Sequence, residues 1–221
     1  MPLTTLVDLL RPTARAGRIG VVAAGPALGL ALVGLLSLTA HPVAPLLVLV
    51  GLVVVAPVGH LLDDPAAGVV AASPTTLARR TGLRVALGAP LLVGGWLLIL
   101  DRSTFLDGYG RLPVGDLAVE VAGFAAFTLA VAAVALRLGD THPGTTASIA
   151  LVMAAAALLV AQRALPASWP VPLLEPGPHT GRWWFAVGVC VAVLVWASRD
   201  PCARIAPAVR GRAASRRSGW R

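Results

Sequence analysis

Few residues in the apolar parts of this 221-residue chain are equipped for chemistry: Glu120, His60 and the pair Gln162-Arg163. A carboxylate in an apolar helix can hold a proton or a cation, and it is costly to bury unpaired, so an ionisable group there is a functional candidate by default. Glu120 is therefore the candidate intramembrane polar site. Each of these residues also lies within about a turn or so of the end of its apolar segment, where a side chain can reach an aqueous interface. That makes an interfacial carboxylate the competing reading of Glu120.

Catalytic signatures are missing. The chain contains no HExxH, Cys-x-x-Cys or GxSxG pattern, so it carries no zinc-protease helix, thiol redox pair or nucleophile elbow. Its two cysteines fall in an apolar run, Cys190, and in a basic tail, Cys202, and make neither a disulfide framework nor a Cys-rich metal site. No lysine occurs anywhere, which excludes the phosphate-binding loop GxxxxGK[ST]. If ATP drives this protein, the nucleotide and its Mg ion are expected on a partner subunit. The chain itself is expected to bind no cofactor or metal and to catalyse no reaction.

The elements that position these residues follow from composition. Hydrophobic residues make up 57% of the chain and charged residues 13%, with a mean hydropathy of +0.82, far from the roughly 25% charged content of a soluble domain. The expected fold class is all-α, a polytopic membrane protein with six transmembrane helices. The spans are placed at Ile19–Thr39, Ala44–Leu62, Leu83–Leu100, Leu117–Leu136, Thr146–Leu165 and Trp183–Ser198, each near the ~20 residues that cross a bilayer core. Residues 1–18 carry Leu3, Leu6, Val7, Leu9 and Leu10 at helical spacing ahead of Arg11, Arg15 and Arg18, the pattern of an N-terminal interfacial helix with no cleavable signal peptide. Three regions result: 1–18, a transmembrane domain over 19–198, and a basic tail over 199–221. A lysine-free, arginine-rich composition points to a GC-rich bacterial genome.

Arginine placement orients the spans. Fourteen arginines lie in the termini and the inter-span segments that share their side, including Arg79, Arg80, Arg84 and Arg137, and four lie opposite: Arg102, Arg111, Arg163 and Arg182. The positive-inside rule then puts both termini in the cytoplasm of a multi-pass bacterial plasma-membrane protein. Seven arginines in the tail suit the anionic inner leaflet of the lipid bilayer, so no nucleic-acid partner is expected. Gly25-Pro26, Pro57 and Pro90 should kink the first three spans, and Gly25 with Gly29 forms a small-residue face for close helix approach. The proline-rich outer segment 166–181 is either re-entrant or an extended surface loop.

Between the second and third spans lies the elbow 63–84, DDPAAGVVAASPTTLARRTGLR. Asp63 or Asp64 can cap a helix whose first position is Pro65, and Ser73 a second that starts at Pro74. The stretch thus reads as two helical starts joined by a corner, on the cytoplasmic side. Arg79, Arg80 and Arg84 follow as membrane-interface anchors of the third span.

This arrangement resembles the type-2, exporter-like ABC transporter permeases. The resemblance covers the chain by topology and the elbow by motif, namely Asp63-Asp64-Pro65, Ala71-Ala72-Ser73-Pro74 and Arg79-Arg80. It implies an amphipathic helix before the first span and a coupling helix between the second and third. Asp63, Asp64, Pro65, Ala66, Ala67, Gly68, Val69, Val70, Ser73 and Pro74 would be the contact with a separate ABC ATPase (nucleotide-binding) subunit. A second membrane subunit, identical or different, and the export of an apolar or amphiphilic substrate are implied as well. The chain is compact for that family and its first outer link is short. A non-ABC transporter or channel and a structural or assembly subunit stay open as alternatives. The run Asp107–Arg111 with Gly115, Asp116 and Glu120 is similar to the acidic signature of CDP-alcohol phosphotransferases, but its spacing departs from that signature and its side of the membrane is wrong.

Overall fold

A computed structural model describes residues 18–38, 44–63, 77–106, 114–164 and 180–199. Every element among them is helical: α1 (Ile19–Ser37), α2 (Ala44–Val55) continuing into a 3₁₀ segment (Ala56–Leu62), α3 (Leu77–Leu106), α4 (Val114–Arg137), α5 (Pro143–Ala164) and α6 (Thr180–Ala197). Four helices are long and apolar enough to cross a membrane, over Ile19–Ser37, Ala78–Ser103, Val114–Arg137 and Pro143–Ala161. Two shorter apolar stretches, Leu46–Leu62 and Trp183–Ala197, complete the bundle. The N-terminal helix expected before Arg18, most of the elbow, the segments 107–113 and 165–179 and the tail from 200 onward lie outside the described residues.

The second span departs from the single helix expected of it. Pro57 has no N–H to give to the carbonyl one turn back, and from Ala56 the chain tightens into 3₁₀ geometry. The Ser148 hydroxyl donates to the Ala56 carbonyl at 2.6 Å, which ties this transition to α5. Pro26 and Pro90 are carried inside α1 and α3 without ending them. α3 begins six residues before the expected Leu83, so Arg79, Arg80 and Arg84 all belong to its first turns.

Close backbone approach explains the glycines of α1. A Cβ on Gly25 would lie 2.5 Å from the Val54 carbonyl oxygen and 2.8 Å from Pro57 Cγ; one on Gly29 would lie 2.6 Å from Val54 Cγ2 and 2.8 Å from Ile99 Cδ1. The small-residue face expected from the sequence therefore packs within the chain, against α2 and α3. α4 is the central helix, packed on α2 and its 3₁₀ continuation, α5 and α6. Asp116 in its first turn and Arg137 in its last oppose the helix dipole. Phe124 meets Trp183 edge to face at 5.3 Å and 81°, joining α4 to α6.

α4 ends in a Schellman turn encoded by Leu136–Asp140. Gly139 takes φ of 90°, its N–H donates to the Leu136 carbonyl at 3.1 Å, and Asp140 N–H donates to the Ala135 carbonyl at 3.0 Å. Pro143 then opens α5, where its missing N–H costs nothing. The outer surface of the bundle is apolar as well: Leu35, Leu97, Leu98, Ile149, Met153, Val160, Trp184 and Phe185 are all more than half exposed. In water so large an apolar surface would drive aggregation, and in a bilayer it faces hydrocarbon.

Candidate functional site

At the end of the bundle where the elbow begins, four elements converge on one residue, Asp63. Asp63 follows the 3₁₀ segment, its N–H bonded to the His60 carbonyl at 3.2 Å, and it is only 3% exposed. Its Oδ1 accepts the Gly144 N–H at 2.8 Å. Its Oδ2 accepts from His60 Nδ1 at 2.7 Å and pairs with Arg18 Nη1 at 3.4 Å. The Asp63 carbonyl also accepts from Arg84 Nη1 at 3.4 Å. Arg18 precedes α1, Arg84 lies on α3 and Gly144 on α5, so this residue joins α1, the 3₁₀ segment, α3 and α5.

The geometry has a clear local cause. His142 ends the turn before α5 and offers no side-chain cap within its own helix; Asp63 supplies that cap from 81 residues away by taking an orphan N–H of the first turn. Gly144 is required because a Cβ there would run into the His60 ring and lie 2.7 Å from the His60 Cα. Arg18 adopts φ of 46°, a left-handed conformation uncommon outside glycine, while its carbonyl accepts the first N–H bonds of α1. Chemically the cluster is a clamp. Its carboxylate oxygens are taken up by donors within the chain, and no group of three His, Cys, Asp or Glu side chains among the described residues could hold a metal ion.

The clamp revises one sequence expectation. Asp63 or Asp64 is expected to cap a helix that starts at Pro65, with both on the elbow facing an ATPase; the Asp63 carboxylate turns inward and caps α5. Asp64, Pro65, Ala66, Ala67, Gly68, Val69, Val70, Ser73 and Pro74 lie outside the described residues. Arg79 is exposed and Arg80 half-buried near the start of α3, whereas Arg84 reaches the clamp.

Sequence reasoning passed over Arg18, Gly144 and Ser148 as parts of this site. The signal in HPGTT, Pro at the first helical position without a capping Ser, Thr, Asp or Asn before it, marks a helix start in need of an external cap.

Two further buried polar groups lie on α4 and α3. Glu120 is 7% exposed, with Asp116 one turn before it, and is thus buried within the bundle rather than displayed on its surface. The buried Trp96 indole N–H on α3 has no hydrogen-bond partner among the described residues. Nearer the clamp end, α4, α6 and the start of α5 enclose a groove of about 380 Å³ with an apolar lining.

No protein-family model, curated protein or solved structure matches the chain.

Proposed function

We propose that this chain is the membrane-spanning subunit of an ATP-driven, exporter-like ABC transporter, energised through the elbow 63–84 by a separate ATPase subunit. In this reading α2 with its 3₁₀ continuation and α6 also cross the bilayer, giving six spans with both termini cytoplasmic. Twelve α-helical and seven 3₁₀ residues together rise about 32 Å, and the eighteen residues of α6 about 27 Å, close to the ~30 Å hydrocarbon core.

The observation that carries the proposal is the clamp at the root of the elbow. A segment that converts ATP-driven closure of partner subunits into helix motion needs a rigid attachment, because slack would absorb the displacement. Asp63 provides one to α1, the 3₁₀ segment, α3 and α5. A passive membrane subunit has no need for so dense a polar knot beneath a short loop. The transported substrate would be apolar or amphiphilic, since the described helices offer few polar groups, and a second membrane subunit would complete the pathway.

The test is affinity purification of the tagged chain from its native membrane, followed by identification of co-purifying polypeptides and an ATP hydrolysis assay. A partner bearing GxxxxGK[ST] and Mg-dependent hydrolysis are expected, and both should be lost when Asp64→Ala and Pro65→Gly are combined. Unchanged co-purification and hydrolysis in that variant, or the absence of any such partner, would overturn the proposal.

A further inference from the structure

The groove between α4 and α6 is lined by Phe127, Val131 and Val134 on one side and Val189, Cys190 and Val193 on the other. Thr146 contributes its only hydroxyl, and that hydroxyl donates to Asp140 Oδ2 at 2.5 Å. A space of about 380 Å³ without a free polar group does not hold ordered water, which needs two or more polar partners. Its size falls within the usual range for small-molecule sites, and its lining selects hydrocarbon.

The mouth of the groove has the opposite character. Leu138, at its rim, is 83% exposed, and the neighbouring Arg137 lies with its guanidinium carbon 4.4 Å from the Trp196 ring centre. Arg137 Nη1 makes both described hydrogen bonds of this side chain, to the Trp196 carbonyl at 2.8 Å and to the Arg199 carbonyl at 3.3 Å. A guanidinium carries five N–H donors, so this anchored group keeps donors in a fork suited to a phosphate. An apolar slot lined by Leu138, with the anchored Arg137 next to it in the chain, is complementary to a lipid with an anionic head.

We propose that this groove binds one acyl chain of an anionic phospholipid, with its phosphate at Arg137. The site depends on the bilayer and not on coupling to ATP, so it stands or falls separately from the transporter reading. Arg137 supplies the head-group preference, and the α4–α6 wall supplies the hydrocarbon contact.

Cys190 reports occupancy directly. In a Cys202→Ser chain purified in a non-ionic detergent, its modification by N-ethylmaleimide is timed with added palmitoyl-oleoyl phosphatidylglycerol or with the phosphatidylcholine of the same chains. The anionic lipid should slow the reaction about fivefold more than the zwitterionic one, the ratio that one arginine near an anionic surface provides. Arg137→Ala should abolish that ratio and Arg137→Lys retain most of it. Native mass spectrometry should show phosphatidylglycerol retained by the parent chain and lost from Val193→Trp, which fills the groove. Equal protection by the two lipids, or a ratio that survives Arg137→Ala, overturns the proposal. So does protection that tracks protein concentration and not lipid, which would assign the groove to a second copy of the chain.

Discussion

Removing the Asp63 carboxylate is the most informative perturbation of this fold. Asp63→Ala strands the buried Gly144 N–H, a loss of about 1–3 kcal/mol. It also removes the acceptor of His60 Nδ1, worth about 1 kcal/mol more. The Arg18 pair adds little, because the Arg18 side chain is 45% exposed and solvent screens it. The expected destabilisation is about 3 kcal/mol, or a melting temperature lower by about 6–12 °C for a chain of this size. Asp63→Asn keeps an oxygen for Gly144, since asparagine caps helices as well as aspartate does, and should cost only about 1 kcal/mol. Tryptophan fluorescence during heating of the detergent-solubilised chain measures both. An Asp63→Ala chain that melts within about 2 °C of the parent would refute the clamp. An Asn variant as damaged as the Ala variant would show that charge, and not capping, holds the site.

Two other outcomes follow from the same geometry. Gly25→Ala forces a methyl into the Val54 carbonyl and should cost about 1–3 kcal/mol, while Gly34→Ala, with nothing within 4 Å, should be neutral or stabilising by up to about 1 kcal/mol; equal melting temperatures would remove the close-approach argument. Asp140, outside the spans, has its pKa held below the ordinary carboxylate value by the Thr146 hydroxyl first and the His142 N–H second. A lowered folded-state pKa contributes stability that is present above the unfolded value and lost as pH falls through the folded one. Thr146→Ala should therefore lower the melting temperature at neutral pH by an amount that shrinks once the pH drops below about 3.9, and a gap constant from pH 7 to 3 would contradict this.

Much of the architecture was legible because membrane helices write a simple code. Runs of about twenty apolar residues mark the six α-helical segments among the described residues. Helix ends were read less well: α3 begins at Leu77, where Leu77–Leu83 is too polar to register as a span although it continues the helix. Pro57 marks a kink in the second span, but not that the chain goes on as a 3₁₀ segment held to α5 through the Ser148 hydroxyl. The clamp was the least legible part. Asp63 and Gly144 are 81 residues apart, and no local period links a carboxylate to an uncapped helix start so distant.

Asp63 shows how burial redirects an acid that opens a loop. Ahead of Pro65, either Asp63 or Asp64 is suited by local chemistry to cap the next helix. The competing demand comes from α5, where the Gly144 N–H is buried and an unmet donor is costly. Burial decides which helix start an aspartate serves. On the proposed transport reading, motion applied to the segment that follows Asp63 would pass through this anchor into α1, α3 and α5 together.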